Sequence, residues 1–282
     1  QDGTTLPSVR CFAELPDGRI FTGTTSGLFE YIDGVFLPLP GEHMGESIDS
    51  LAVDAFGNLW CCGSASSIFV YKDGEVVRYW DTDELYKEKY RIVAAQDDRV
   101  YVGTFSNCLL ELELLDDTYL DSGINMRVYS TESLSTINAI YPDKEGNLWI
   151  GADNGIGFLT KERTMQTDDE LSQCVGASQI MKDYEGGLWI ASSKKGVYQI
   201  SEGRFYHDQT SLTKSVNATT INSKVTFIAT DTGLITLDGD RNPINIPGLE
   251  MLHDVRIRDV MTDSQGLVWI CTYSDLGLFC YD

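Results

Sequence analysis

The chain has 282 residues, 42% of them hydrophobic, and 21 Lys and Arg against 43 Asp and Glu give it a formal net charge of -22. That length and apolar content allow one large or two ordinary domains with a sizeable core. The acidic balance argues against nucleic acid and anionic lipid as partners, and no run of about 18 apolar residues is present to span a membrane.

The chain begins at Gln1 and reads as a processed product or an excised segment, in which a removed leader or a downstream membrane helix would leave no trace. The first clear pattern is "RIFTGTTSGLFEY" (19–31), followed by the strand-like "DGVFLPL" (33–39). Next come "NLWCCGSASSIFVY" (58–71), "DGEVVRYW" (73–80) and "DTDELYKEKY" (81–90), the last with room for one or two helical turns. Then follow "RVYVGTFSNCLLEL", "NLWIGADNGIGFL", "GLWIASSKKGVYQI", "VTFIATDTGLITL" and "LVWICTYSDLGLFCY". Their aromatics, Phe21, Trp60, Tyr101, Trp149, Trp189, Phe227 and Trp269, are separated by 39, 41, 48, 40, 38 and 42 residues. Seven units of about forty residues fill the chain, which is the signature of a radial repeat array.

Within one unit, Ile137 to Tyr141 alternates as a strand and Asp143 with Gly146-Asn147 makes a tight turn. Leu148 to Gly151 returns, Asp153-Asn154-Gly155 turns again, and Ile156 to Leu159 forms a third strand, with a fourth drawn from the variable stretch that follows. Four short antiparallel strands at this period predict an all-β chain folded as a single seven-bladed β-propeller over residues 1–282. The aromatic is expected to fill the wedge between blades, Trp149 included. Two places later the residue is always small (Gly23, Cys62, Gly103, Gly151, Ala191, Ala229, Cys271), where backbones crowd. The recurrent turn acids Asp17, Asp54, Asp97, Asp143, Asp183 and Asp263 read as acceptors of backbone N–H bonds. Residues 1 to 7, "QDGTTLP", are expected to supply the missing outer strand of the last blade and so cover its edge.

The phrase "DKEGNLWIGADNGI", with the looser "DYEGGLWIASSKKGV", "DAFGNLWCCGSASSI" and "DSQGLVWICTYSDLGL", resembles the two-component regulator propeller repeat. The third and sixth units lack the Trp and the turn Gly. The resemblance implies an extracytoplasmic sensor propeller, periplasmic or at the cell surface, of a bacterial membrane receptor. Hybrid two-component sensors of gut bacteria that detect carbohydrate fragments are the leading example. It also implies an output module and a membrane segment outside this chain, and is compatible with a homodimer in the full receptor. It names no ligand.

Counting back eleven places from each aromatic, with one residue of slip where turns are shorter, puts Arg10, Asp49, Arg91, Asn138, Gln179, Asn217 and Arg258 at the axial mouth. Without the slip, Tyr90, Ser178 and Val216 take the places of Arg91, Gln179 and Asn217. Guanidinium forks suit a carboxylate, a sulfate or hydroxyls of a small polar ligand, an oligosaccharide among them. The competing reading pairs these arginines with Asp49, Asp259 and backbone carbonyls to hold the blades together. Loop residues Phe105, Asn107, Asp153, Asn154, Lys194, Lys195, Tyr273 and Asp275 add aromatic faces, amides and charges nearby.

No catalytic constellation is expected. His43, His207 and His253 lie between repeat cores and form no HxxxH pair, and Asp116-Asp117 and Asp168-Asp169 read as solvated loop charge. Asp238 to Asn242 lacks the ligand count and terminal Glu of a calcium loop, and no cofactor or metal is expected. Seven cysteines without regular spacing show no disulfide framework or zinc pair; Cys11, Cys61, Cys108, Cys271 and Cys280 read as small buried hydrophobes. Beside a sensor, two further readings stay open: an interaction scaffold using the acidic rim, and, ranked below it, a propeller lyase or hydrolase.

Overall fold

The computed structural model describes residues 7–64, 67–81, 84–116, 123–131, 133–166, 171–183, 186–201, 204–207, 215–223, 225–273 and 276–282. Blade one comprises β1 (Val9–Glu14), β2 (Ile20–Thr24), β3 (Gly27–Ile32) and β4 (Val35–Pro38), and blade two β5 (Ile48–Val53), β6 (Leu59–Gly63), β7 (Ile68–Lys72) and β8 (Glu75–Trp80). Blade three holds β9 (Tyr90–Gln96), β10 (Arg99–Thr104), β11 (Cys108–Glu113) and β12 (Asn125–Ser130). Blade four holds β13 (Ile137–Pro142), β14 (Leu148–Ala152), β15 (Gly155–Leu159) and β16 (Met165–Gln166). Blade five follows with β17 (Ala177–Lys182), β18 (Leu188–Ser192), β19 (Gly196–Ser201) and β20 (Arg204–His207). Blade six has β21 (Val216–Asn222), β22 (Val225–Thr230) and β23 (Gly233–Leu237), and blade seven β24 (Ile257–Thr262), β25 (Val268–Thr272) and β26 (Leu278–Tyr281).

Every blade is an antiparallel meander, and the first strand of each lies against the first strand of the next, with β24 returning to β1. The chain is therefore a closed seven-bladed propeller. Glu14 helps join the ends of the ring by accepting the Ser264 N–H at 2.8 Å.

Five blades have four strands and two have three among the described residues, so the expectation of four throughout holds only in part. In blade six the outer position is rudimentary: Ile244 donates its N–H to Thr236 at 2.9 Å and Leu237 bridges Pro243. Pro243 and Pro247 bracket this contact and donate nothing, so a ladder cannot extend through it. The expected closing strand at 1–7 lies almost wholly outside the described residues, as do Asp117, Asp168-Asp169, Asp275 and the side chain of His207. The stretch 81–90 forms no helix among its described residues.

The small position is explained by contact with the following blade. A Cβ added to Gly23 would fall 2.7 Å from Ile48 Cγ2, one on Gly103 2.6 Å from Ile137 Cγ2, and one on Gly151 2.7 Å from Ala177 Cβ. These distances are shorter than carbon atoms tolerate, so a larger residue would force the inner strands apart. A threonine one place further on fixes the next hairpin: Thr24, Thr104, Thr230 and Thr272 donate their hydroxyls to the carbonyls of Gly27, Cys108, Gly233 and Gly277 at 2.7 to 2.9 Å.

Asp17, Asp54, Asp143, Asp183 and Asp263 accept backbone N–H bonds as expected, and three of them also take the indole of their own blade. Asp54 accepts Trp60 Nε1–H at 3.0 Å, Asp183 accepts Trp189 at 2.7 Å, and Asp263 accepts Trp269 at 2.8 Å. One carboxylate thus closes the turn and orients the wedge aromatic. Blade four departs from this. Asn147 Nδ2 donates to Asp143 Oδ2 at 3.0 Å, and Trp149 lies half-buried against Phe158 with ring centroids 4.6 Å apart. Trp149 is therefore not the fully enclosed wedge expected of it; Trp60, with 0% exposure and stacked on Trp80, is.

Cys11, Cys61, Cys62, Cys174 and Cys271 are buried, whereas Cys108 is half-buried and Cys280 exposed because it lies on the outer strand of a three-stranded blade. Trp60→Ala should cost about 3–5 kcal/mol by leaving a closed cavity, and Trp149→Ala about 1–2 kcal/mol because water reaches its site. Urea denaturation of the two variants measures the difference; equal losses would contradict this assignment of the wedge.

Candidate functional site

Each inner strand carries one residue more than its partner can pair. The register passes from Val9 to Cys11 in blade one and from Ile48 to Ser50 in blade two, skipping Arg10 and Asp49. It skips Arg91, Asn138 and Ser178 in blades three to five, and Asn217 and Arg258 in blades six and seven. All seven bulges fall beside the small residue of the second strand. A bulge leaves its residue out of the ladder and bends the strand, so one side chain per blade is aimed at the axis.

Those seven residues border one axial funnel of about 660 Å³, which Asp153, Gln179, Asp231, Arg256 and Asp259 also line. Tyr90 and Val216 stay in register and are buried, which answers the slip left open in blades three and six. In blade five the bulged residue is Ser178. Gln179 also borders the funnel, but it pairs with Ala191 and its amide oxygen accepts the Thr219 N–H of the next blade. A count by spacing could not find a bulge, because Ala-Ser-Gln offers no chemical mark of which residue is skipped.

Hydrogen bonds from the bulged residues to the next blade belt part of the ring. Arg10 pairs with Asp49, and Ser64 braces both, with its Oγ accepting from Arg10 at 3.1 Å and donating to Asp49 at 2.9 Å. Arg91 Nε donates to Asn138 Oδ1 at 3.3 Å, and Asn138 Nδ2 to Asp153 at 2.7 Å. Ser178 donates to the Val216 carbonyl at 2.9 Å and Asn217 to the Ile257 carbonyl at 2.7 Å. Arg256 forms an ion pair with Asp231 at 2.8 Å. For Arg10, then, the blade-holding role is real.

Arg91 and Arg258 differ, since neither forms an ion pair among the described residues. Each is layered on a rim aromatic: Arg91 lies 5.2 Å from the centroid of Phe105, and Arg258 5.6 Å and Arg256 4.9 Å from that of Tyr273. Phe105 and Tyr273 are 46% and 55% exposed, so the loops present them at the mouth as supports for guanidinium groups. Burial lowers the Arg10 pKa, and the positive charges of Arg258 and Arg91 lower it further. The fields of three arginines therefore overlap on one side of the axis.

Asp153 borders the funnel, whereas Asn154 is turned away from it, accepting the Ser135 N–H at 2.7 Å and donating to the Ser133 carbonyl at 2.6 Å. Lys194 Nζ donates to the Asp153 carbonyl at 3.1 Å. The sequence offered Asp259 only as a partner for the axial arginines, but it forms an ion pair with none of them among the described residues; its carboxylate accepts the Val260 N–H at 2.9 Å. Burial pushes the Asp259 carboxyl up to about 7, against the Val260 N–H and the Arg258 charge, which pull it down. The unfolded carboxyl ionises near its ordinary value of about 3.9. Between the two values the folded chain holds the proton that the unfolded chain has lost, so stability falls as pH rises from about 4 to about 7. Asp259→Asn should melt above the parent at pH 8, with the gap closing towards pH 4; a lower melting temperature at pH 8 would contradict this.

Among known families, the one described as Two component regulator propeller matches residues 131–154. A search of curated proteins finds no match. Among solved structures, the chain is similar to the extracellular domain of the putative one component system BT4673 from B. thetaiotaomicron, at TM-score 0.77 and 18% identity over 99% of this chain and 38% of that one. It is also similar to the extracellular domain of the putative hybrid two component system BT3049 from B. thetaiotaomicron, at TM-score 0.76 and 17% identity over 99% and 39%. A third similar structure is virginiamycin B lyase from Staphylococcus aureus, at TM-score 0.75 and 14% identity over 97% and 94%. The chain spans less than two fifths of the first two, and identities this low speak for the fold alone.

Proposed function

We propose that this chain, a two-component regulator propeller, is the extracytoplasmic ligand-sensing part of a bacterial signal-transduction receptor, and that it binds a small polar ligand in the axial funnel. The observation that carries the reading is that all seven bulges turn a side chain into one 660 Å³ space, and that Arg91 and Arg258 are left there without an ion-pair partner. A fold needing only a sealed axis would be served by small or apolar residues. Arg91 has the Asn138 amide oxygen and an aromatic face, and Arg258 an aromatic face and the field of Asp259, so both keep guanidinium donors that a ligand's acceptors can take. The similarity to extracellular domains of putative signalling systems supports a sensing role, and the resemblance to the two-component regulator propeller repeat, which implies sensors of carbohydrate fragments, supports an oligosaccharide as ligand.

The mechanism follows from position. A ligand in the funnel touches several blades at once, so its binding energy resists their separation and shifts their packing; an output tethered outside this chain would read that shift as a change in population. The reading is non-enzymatic, and the similarity to extracellular domains of putative signalling systems supports it.

Thermal-shift screening against a glycan and metabolite panel tests this. A funnel ligand at about 100 times its Kd should stabilise the fold by about 2.7 kcal/mol, saturably. No stabiliser from a broad panel, together with retention of a protein partner on an affinity column, would favour the scaffold reading instead.

A further inference from the structure

Sorting the funnel's charges by what already satisfies them narrows the ligand's chemistry. Arg10 with Asp49 and Arg256 with Asp231 are closed pairs. Four charged side chains remain without an ion-pair partner among the described residues: Arg91, Arg258, Asp153 and Asp259. Two guanidinium groups offer donors for an anionic group, and two carboxylates offer acceptors for hydroxyls. Arg91 and Arg258 belong to blades three and seven, and both act on Arg10 of blade one, so the positive field is concentrated on that arc of the axis.

Asp259 is the least ordinary of the four. The residue that resumes the register after the bulge is Cys11, Ser50, Ile92, Ala139, Gln179 and Ala218 in the other six blades, and only blade seven places a charge there. The groups acting on it are Arg258 on its own strand, with Cys11 of β1 and Cys271 of β25 beside it. Both thiols are themselves pushed up by burial and carry no charge near neutrality. Its carboxylate therefore has one neighbouring cation and no ion-pair partner, at the inner wall of the space where the arginine fields overlap.

Resting on the funnel as the sensing site, we propose that the ligand is an acidic sugar, whose carboxylate or sulfate is held by Arg91 and Arg258 and whose hydroxyls meet Asp153 and Asp259. Bringing an anion to this arc disfavours the ionised form of Asp259, which lies close to the same charge. Because the Asp259 carboxyl titrates at about 7, the complex takes up protons near neutral pH, and affinity rises as pH falls from 8 to 6. When protonated, Asp259 donates its O–H to a ligand oxygen in place of repelling it.

The test is calorimetric titration with matched pairs: galacturonate against galactose, glucuronate against glucose, and galactose 6-sulfate against galactose. At least one acid should bind saturably and its neutral twin about tenfold or more weakly; the carboxylated and sulfated arms distinguish the two sources of the charge. Arg258→Gln and Arg91→Gln should each weaken that acid about tenfold with little change in melting temperature. Repeating the titration at pH 7 in buffers of different ionisation enthalpy should show proton uptake in the parent and none in Asp259→Asn. A neutral sugar bound as tightly as its acid, and lost in the arginine variants, overturns the acidic-sugar proposal while leaving the funnel as the sensing site. Acid binding that neither arginine variant weakens overturns both, as does the failure of every acid and every neutral sugar to bind.

Discussion

Seven sheets share one axis, and where neighbouring blades meet beside it the second strand has room for backbone but not for a large side chain. The contacts a Cβ would make at Gly23, Gly103 and Gly151 express that constraint directly, since the obstacle in each case includes a side chain of the next blade's inner strand. The bulge is the companion of this crowding. Where the second strand gives up its side chain, the first strand gains a residue, and the extra side chain has only the axis to turn to. Packing and site are thus two sides of one contact: the small residue lets the blades approach, and the bulged residue beside it faces what lies between them.

The division of labour among the bulged residues follows. Arg10, Ser178 and Asn217 spend their hydrogen bonds on the next blade, so they hold the ring. Arg91, which also gives its Nε–H to Asn138 of the next blade, and Arg258 rest on aromatic faces, which support a cation without neutralising it. In a chain of net charge -22, two such cations on an axial surface stand apart from the background.

The period of about forty residues was enough to read the fold, because the aromatic and the small residue answer to contacts that recur around the ring, and the turn aspartate to one made in most blades. Most axial positions were legible for the same reason: a fixed distance from a recurring corner carries through a regular strand. The reading failed where one blade solves a shared problem its own way. Blade four has the fullest motif, and its Asn147 binds the turn aspartate as Asn58 does in blade two, yet Trp149 lies half-buried against Phe158 where Trp60 is enclosed. Blade five hides its bulge in Ala177-Ser178-Gln179, and Asn154, on an outer turn like its neighbour Asp153, turns back to its own blade connection. Asp259 could not be singled out from sequence because its distinction is comparative: it stands where the other blades are uncharged, and that register is visible only in the pairing.

We propose that the axis, not the outer surface, is where this propeller meets its ligand. A second concavity exists for comparison, between the outer strand of blade two and the connection before that blade, where His43 stacks on Tyr79 at 3.7 Å. A crystal structure with a ligand identified by binding is the most direct measurement. The account expects ligand density on the axis within hydrogen-bonding distance of Arg91 and Arg258; density in the His43–Tyr79 groove, with the funnel unchanged, would contradict it.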